Sequence, residues 1–290
     1  RRRHTRYGTV TGVQTCALPI FEVCPTLRYD LVGALKPGVT TKDVFLHLCA
    51  QFGDHTGYNI EYGGAGLAGL SIAARRTIAT MGTELNAEFS TFEHDAVLAD
   101  YMRARTNGAY TPHHPDADAH YHARHTIDLS AMEPLVARPD GVIKNAFPVA
   151  EVAGDHVDQA FIGSCANGNL EDIALAAQIC AGRRVAAGTR LIVTPGSQAI
   201  YREALKLGYL ETLTNAGAVV TSATCGACGG GHMGILGPGE VCITASTRNY
   251  KGRMGDPSSR IYMASPATVA ASAIAGVVTH PAPYLTGAAS

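Results

Sequence analysis

The stretch Phe-Ile-Gly-Ser-Cys-Ala-Asn-Gly-Asn-Leu-Glu-Asp, residues 161–172, joins a predicted strand to a predicted helix through a cysteine. The apolar run at residues 157–162 predicts the strand. Asn169 is a favourable N-cap for a helix over residues 170–181, and two acidic residues follow it in the first turn. Cys165 therefore comes directly after the carboxyl end of a strand, the edge where α/β proteins place their ligand sites.

The same alternation of short apolar runs with helical patterns continues through the second half of the chain and predicts a layered α/β fold. In the first half, the pattern predicts a capped helix over residues 41–52 and another helix over residues 66–76. The other predictions are strands at residues 191–194, 218–221, 241–245 and 261–264, a helix over residues 198–207, and a last helix that begins at Pro266.

The 290 residues can build one large core or two modest ones. Residues 1–20 begin with an Arg-rich run, lack an amphipathic period and look like non-native sequence, so we exclude them from the fold. Residues 110–125 carry five histidines among Pro and Asp, and this tract, continuing to about residue 148, is our candidate boundary between lobes at residues 21–150 and 151–290. A metal site in this tract is the alternative to a solvated connection.

The amino-acid composition argues against a nucleic-acid-binding protein and against a membrane-spanning one. The formal net charge is -1 and no basic run follows the first residues, which argues against a nucleic-acid partner. No apolar stretch reaches the eighteen residues of a membrane span. Eight unevenly spaced cysteines suit metal or catalytic thiols in a reducing compartment, so we expect a cytoplasmic protein with a small-molecule substrate.

A second cysteine motif, Thr-Cys225-Gly-Ala-Cys228-Gly-Gly-Gly-His232, also follows a predicted strand. Cys165, Cys225 and Cys228 could therefore meet at one edge, hold a 4Fe-4S cluster and leave one iron open as a Lewis acid. The same three residues with His232 could instead form a closed zinc site. Cys225 and Cys228 could also be a redox pair, although three glycines after Cys228 argue against a helix there. Spacing alone leaves all three interpretations open.

Three charged residues are candidates for substrate chemistry. Arg248 and Arg253 lie in a Gly-containing turn after a predicted strand, where two guanidinium groups suit bidentate capture of carboxylates, although both could be solvated surface residues. Glu84 lies in an apolar neighbourhood and is a candidate buried acid, although exposure is the commoner fate of a glutamate.

These residues, in this order, resemble the family of aconitase and the 3-isopropylmalate dehydratase large subunit, which includes homoaconitase. The resemblance runs from about residue 21 to residue 281 and is strongest in FIGSCANGNLED, VTPGSQAIYREALKLGYLETLTNAGAVV, TCGACGGGHMG and RNYKGRMGDPSSRIYMASPATVAASAIAG. It implies layered α/β/α aconitase-type domains and a 4Fe-4S hydro-lyase that dehydrates and rehydrates a 2-hydroxy acid. We expect 3-isopropylmalate, in leucine biosynthesis; homoaconitate, citrate or a non-catalytic iron-sulfur module are the alternatives.

The resemblance also implies roles for individual residues. Cys165, Cys225 and Cys228 would hold the cluster, Arg248 and Arg253 would bind a substrate carboxylate, and Glu84 would be the active-site acid. The pocket would further contain Thr80, Ser164, Asn167 and Thr247. Thr80 and Thr247 stand where the family normally has Asn, and a hydroxyl offers one donor where an amide offers two. These two departures bear on which substrate is accepted and on whether full activity is kept.

Family members also carry roughly two hundred further residues before the matching region, more than one ordinary domain. In two-subunit relatives, a separate small swivelling subunit supplies a serine base and another carboxylate-binding arginine. We therefore expect a small-subunit partner, and we expect this chain alone, as a fragment, to be inactive or nearly so.

Overall fold

A computed structural model describes residues 23–285 of the chain, so the predicted non-native segment at residues 1–20 lies outside the described residues. The first part forms a smaller sheet from the strands β1 (Thr26–Val32), β2 (Asn59–Gly63), β3 (Ser90–Phe92) and β4 (Ala123–Asp128). All four strands are parallel, in the order β3-β2-β1-β4. The helices that connect them are α1 (Thr41–Gln51), α2 (Ile72–Thr80) and α3 (Ala96–Arg103).

The second part forms a larger, mixed sheet. Its strands are β5 (Leu135–Ala137), β6 (Ala146–Pro148), β7 (Gln159–Gly163), β8 (Arg190–Thr194), β9 (Val219–Val220), β10 (Val241–Thr244) and β11 (Arg260–Ala264). The order is β6-β5-β11-β10-β7-β8-β9, with β5 and β6 antiparallel at one edge and the other strands parallel. The helices are α4 (Ser164–Asn167), α5 (Leu170–Cys180), α6 (Gln198–Lys206), α7 (Tyr209–Asn215), α8 (Pro266–Ala275) and α9 (Ala282–Leu285). The predicted α/β class is confirmed.

Local capping explains why the predicted helices of the larger sheet are found. At the start of α5, the backbone N–H of Asn169 donates to Asp172 Oδ2 at 3.0 Å. Pro266 occupies the first turn of α8, and the Ser265 side chain caps that helix. These signals lie within a few residues of each helix start, so they can be read from sequence.

The helix predicted over residues 66–76 is present only in part, and its bounds are wrong. A 3-10 helix over Ala65–Gly69 comes first, and α2 begins only after Ser71, whose side chain accepts a hydrogen bond from Ala74 N at 3.0 Å. A Cβ on Gly66 would lie 2.9 Å from the backbone of Leu31. The backbone therefore packs closely against β1 at this point, and the α-helix α2 begins only after it.

The chain passes from the smaller sheet to the larger sheet before residue 150. Strands β5 and β6 precede the predicted boundary but pair with the larger sheet. Leu135 and Ala137 pack into the core of the smaller sheet, whereas Val136 between them packs into the core of the larger sheet. Strand β5 therefore joins the two cores, because successive side chains of a strand point to opposite faces.

The His-rich part of the predicted boundary tract lies beside the smaller sheet. Residues 104–122 connect α3 to β4 within the smaller sheet, and the chain enters β4 at Ala123. The histidines thus lie mainly on a crossover inside one lobe. The chain passes from the smaller to the larger sheet between β4 and β5, which is within the predicted boundary tract that continues to about residue 148. Among residues 23–285, no helix is long and apolar enough to cross a membrane.

Candidate functional site

A strained turn presents Cys165 at the end of β7. Gly163 has φ 149° and Ser164 has φ 64°, a left-handed value that is costly for a residue with a side chain. A Cβ on Gly163 would lie 2.3 Å from the carbonyl oxygen of Thr194, at the end of neighbouring β8. Glycine is therefore required at this position, and the sharp turn leaves Cys165 exposed between buried neighbours.

Two residues close to Cys165 in the sequence carry buried oxygens. Ser164 Oγ and Asn167 Oδ1 have no hydrogen-bond partner within residues 23–285. Asn167 is oriented through its amide nitrogen, which donates to Asp172 Oδ1 at 3.1 Å. Asp172 is half-buried, and desolvation raises its pKa to about 6. Unpartnered buried polar atoms beside an exposed thiol are suited to a ligand.

The Cys225-Gly-Ala-Cys228 turn packs on the same strand ends. It forms a 3-10 helix over Gly226–Gly229. A Cβ on Gly226, whose φ is 57°, would lie 2.5 Å from Thr194 Oγ1 and 2.8 Å from the Phe161 ring. The turn can therefore approach the ends of β7 and β8 only because this residue is glycine. Both cysteine motifs lie at the carboxyl edge of the larger sheet, as predicted.

Cys228 has the surroundings of a thiolate. Arg253 Nε donates to the Cys228 carbonyl at 2.9 Å, and Arg253 Nη2 lies 3.8 Å from the sulfur. Thr247 Oγ1 lies 3.8 Å from the same sulfur. Burial alone would raise the pKa of this thiol, but the hydrogen bonds from Arg253 and Thr247 outweigh it and lower the pKa. The structure therefore places Arg253 and Thr247 beside a predicted ligand.

Glu84 and Arg248 meet in a second part of the site, although 164 positions separate them in the sequence. Glu84 is 6% exposed, in a 3-10 turn over Gly82–Leu85 that follows α2. It accepts hydrogen bonds from Arg248 Nε at 2.7 Å and from the Tyr250 hydroxyl at 3.0 Å. The Glu84 carboxylate raises the pKa of Arg248, which stays charged. Tyr250 was missed because nothing in the sequence distinguishes it from a surface tyrosine.

Helix α2 links Glu84 to the first cysteine turn. Its Thr77 hydroxyl donates to the carbonyl of Ala166, beside Cys165, at 2.7 Å. Thr80, predicted to line the pocket, is the half-buried last residue of the same helix. Sequence reasoning missed Thr77 and also Lys42, a fully buried lysine of α1. A lysine in a first turn carries no local sign that it will be buried.

The structure bears on the metal-site and redox-pair interpretations of these residues. Within residues 23–285, no group of three or more His, Cys, Asp or Glu is arranged to hold one metal ion, either at the cysteines or in the His-rich tract. Cys225 and Cys228 are free thiols joined by a 3-10 turn, not the α-helix start of a redox pair.

The fold and site define a layered α/β protein with a cysteine-bearing sheet edge beside a buried carboxylate and two arginines. A family model described as the aconitase family (aconitate hydratase) matches residues 13–153 and 142–276. The chain belongs to the aconitase family, and the predicted resemblance is confirmed.

Curated relatives agree with that membership. The 3-isopropylmalate dehydratase large subunit of Mycolicibacterium smegmatis is 57% identical over 259 residues, which are 89% of this chain and 61% of that protein. The protein of the same name from Pyrobaculum aerophilum is 46% identical over 90% of this chain and 62% of its own length. A probable methanogen homoaconitase large subunit from Methanothermobacter thermautotrophicus is 43% identical over 90% of this chain and 61% of its own length. The chain thus spans about three fifths of these relatives.

Among solved structures, the holo-form of aconitase X from Thermococcus kodakaraensis aligns with a TM-score of 0.39 and 12% identity. It covers 78% of this chain and 50% of that chain, a likeness too weak to bear on the fold.

Proposed function

We propose that this chain is the cluster-binding part of a 4Fe-4S hydro-lyase that isomerises a 2-hydroxy acid, with 3-isopropylmalate as substrate. The observation that carries the proposal is the ion pair between the buried Glu84 and the partly exposed Arg248, joined at 2.7 Å. The Cys228 thiolate, beside Arg253, also acts on the charge of Arg248. An acid and two guanidinium groups beside a thiolate are the groups that elimination of water from a hydroxy carboxylate requires. The names of the dehydratase relatives support the substrate.

Cys165, Cys225 and Cys228 would hold the cluster. Their fit is supported by the lowered pKa of Cys228, by the glycine contacts that bring both turns to one sheet edge, and by the unpartnered oxygens beside Cys165. When bound, the cluster would supply Lewis acidity toward the hydroxyl that leaves.

Arg248 and Arg253 would bind and orient a substrate carboxylate. Arg248 uses its Nε for Glu84, and its terminal nitrogens carry further donors in a fixed fork. Its side chain is 36% exposed, which leaves room for a carboxylate to approach the guanidinium group. Charge that develops on the carboxylate as the alpha proton leaves would be stabilised by both guanidinium groups.

Glu84 would carry the proton for the departing hydroxyl. Its Oε1 and Oε2 are fixed by Arg248 and Tyr250, so the carboxylate has one orientation. The pKa of Tyr250 is raised by burial and by its hydrogen bond to Glu84, so Tyr250 keeps its proton and remains a donor. Glu84 would act as the general acid and base at this position.

The partner we propose is a small swivelling subunit that supplies the base for the alpha proton, since the relatives are named large subunits. We propose a cytoplasmic enzyme of leucine biosynthesis, acting on a small 2-hydroxy acid, with no nucleic-acid or membrane partner. The 290-residue chain by itself should turn over little.

Anaerobic reconstitution with iron and sulfide, followed by absorbance and spin-resonance spectra, tests the cluster. The expected result is a brown protein with a 4Fe-4S signal, and a colourless protein with stoichiometric zinc would refute it. A version extended to the length of the relatives, combined with a small subunit, then tests the reaction. Turnover of 3-isopropylmalate is expected to exceed turnover of homoaconitate and citrate.

Homoaconitase is the second candidate, favoured by the methanogen relative at 43% identity. Preference for homoaconitate in the same assay would establish it. A non-catalytic iron-sulfur module, which the Thr80 and Thr247 departures would fit, predicts a cluster without turnover of any of the three substrates.

A further inference from the structure

Lys42 is a fully buried lysine that lies between the two segments carrying Glu84 and Arg248. Its Nζ donates to the carbonyl oxygens of Ala245 at 2.9 Å and Ser246 at 2.7 Å, and lies 3.2 Å from Met81 Sδ. An ammonium group has three donors, and these three acceptors engage all of them.

The three contacts of Lys42 Nζ lie close in sequence to Arg248 on one segment and to Glu84 on the other. Ser246 comes two residues before Arg248, on the turn that follows β10. Met81 is the C-cap residue of α2, and its carbonyl accepts the backbone N–H of Glu84 at 2.9 Å. One ammonium therefore touches both segments whose side chains pair at 2.7 Å.

The alternative is a purely structural role, in which Lys42 only holds the two cores together. The next residue, Asp43, is also fully buried, and its Oδ1 accepts a hydrogen bond from Leu135 N at 3.0 Å, at the start of β5. The first turn of α1 thus places two buried charged side chains against the larger sheet. Lys42 contacts the turn that leads to Arg248, and Asp43 contacts the start of β5. A purely structural role predicts that both residues have the same effect on the site.

Burying an ammonium that contacts two carbonyl oxygens and a thioether is costly, and an apolar side chain could fill the same space. Burial lowers the pKa of Lys42 to about 7, against the opposing charges of Asp172, Cys228, Cys49 and Asp43. Retaining a lysine in this place points to a use for its three donors.

We propose that Lys42 is a positioning residue that holds the Ala245–Ser246 peptide against Met81, so that Arg248 meets Glu84. Its effect on turnover rests on the proposed function, but the contact itself does not. Without the Lys42 donors, the turn after β10 would lose its anchor to α2, and Arg248 would spend less time on Glu84.

Hydrogen exchange at Arg248 Nε, followed by NMR on the 290-residue chain labelled with 15N-arginine, tests this without cluster or substrate. In Lys42→Met, we expect exchange to speed up by about tenfold or more, because a charge-assisted hydrogen bond is loosened. In the matched variant Asp43→Asn, which disturbs the same helix turn, the rate should stay within about twofold of the parent. Equal acceleration in both variants, or none in Lys42→Met, would overturn the proposal.

Lys42→Gln is the second variant for the case in which Lys42→Met does not fold, as judged by near-UV circular dichroism. Its amide has fewer donors, so we expect an acceleration of only about threefold. Exchange as slow as in the parent would count against Lys42. In the extended enzyme, a parent without turnover of 3-isopropylmalate would refute the proposed function and leave the exchange result intact.

Discussion

The two sheets contribute to the site in different ways. The larger sheet presents its residues on turns at strand ends, with Cys165 after β7 and the Cys225–Cys228 turn against the ends of β7 and β8. The smaller-sheet lobe contributes through helix ends, with Lys42 in the first turn of α1 and Glu84 just after α2. The larger sheet thus supplies the proposed ligands, and the smaller one supplies the acid.

This difference explains which residues the sequence reveals. A turn that brings backbone against a strand end needs glycine, as at Gly163 and Gly226, and glycine marks the turn in the sequence. A helix end that reaches a distant site needs only a helix of the right length and packing. The sequence around the functional side chain therefore gives no local signal of its role.

The largest effect should come from the larger sheet. Cys165→Ser should abolish assembly of the 4Fe-4S cluster, because a hydroxyl does not replace a thiolate. Iron and sulfide content after anaerobic reconstitution measures this. Cys180→Ala, which alters a buried thiol of α5, is the control and should assemble normally. A full iron complement in Cys165→Ser would remove that cysteine from the ligand set.

The helix-end contribution is tested by Glu84→Gln, which keeps the shape and removes the charge. In the extended enzyme with its small subunit, we expect kcat to fall by about 10²–10⁴-fold, the range of a lost general acid or base. Iron content should be unchanged. Glu88→Gln, an exposed neighbour, should behave like the parent. Loss of the cluster in Glu84→Gln would instead assign Glu84 to the ligand region.

The carboxyl group of Asp172, which accepts a hydrogen bond from Asn167, should make the folding stability depend on pH. The folded pKa of Asp172 is raised from 3.8 to about 6, so between these values the folded state binds more protons than the unfolded state. This group therefore makes stability fall as pH rises from about 4 to 6, by at most about 3 kcal/mol.

Asp172→Asn should remove that part of the slope. Denaturant unfolding of parent and variant at pH 4, 5, 6 and 7 measures the difference. Asp256→Asn is the control. Hydrogen bonds from Ser258 lower the pKa of Asp256, so this carboxylate stays ionised over the tested range, and the variant should keep the slope of the parent. Parallel profiles for the parent and Asp172→Asn would show that Asp172 does not hold its proton in the fold.

The smallest effect should come from the link between α2 and the Cys165 turn. Thr77→Val keeps the side-chain shape and removes the hydrogen bond to the Ala166 carbonyl, at a cost of about 1 kcal/mol. Thr83→Val, on the exposed side of the next turn, should cost less than about 0.5 kcal/mol. Urea unfolding measures both, and equal stabilities would mean that the link does not couple the two lobes.

The sequence by itself determined the fold class, most strands and capped helices, the family and the residues predicted to act. Capping at Asn169, proline in the first turn of α8 and glycine at the strand-end turns act within a few residues, so a local pattern carries them. The roles proposed for the cysteines, for Glu84 and for the arginines remain predictions.

The tertiary structure alone decided the break before α2, the membership of β5 and β6 in the larger sheet, and the contacts across the chain. Arg248 reaches Glu84 over 164 positions, and Lys42 reaches Ser246 over 204. Such pairs depend on how two cores pack together, and neither residue's neighbours in the sequence encode its partner. Buried charges meet across a long separation only after the fold has formed, because packing then supplies the acceptors that water supplied before.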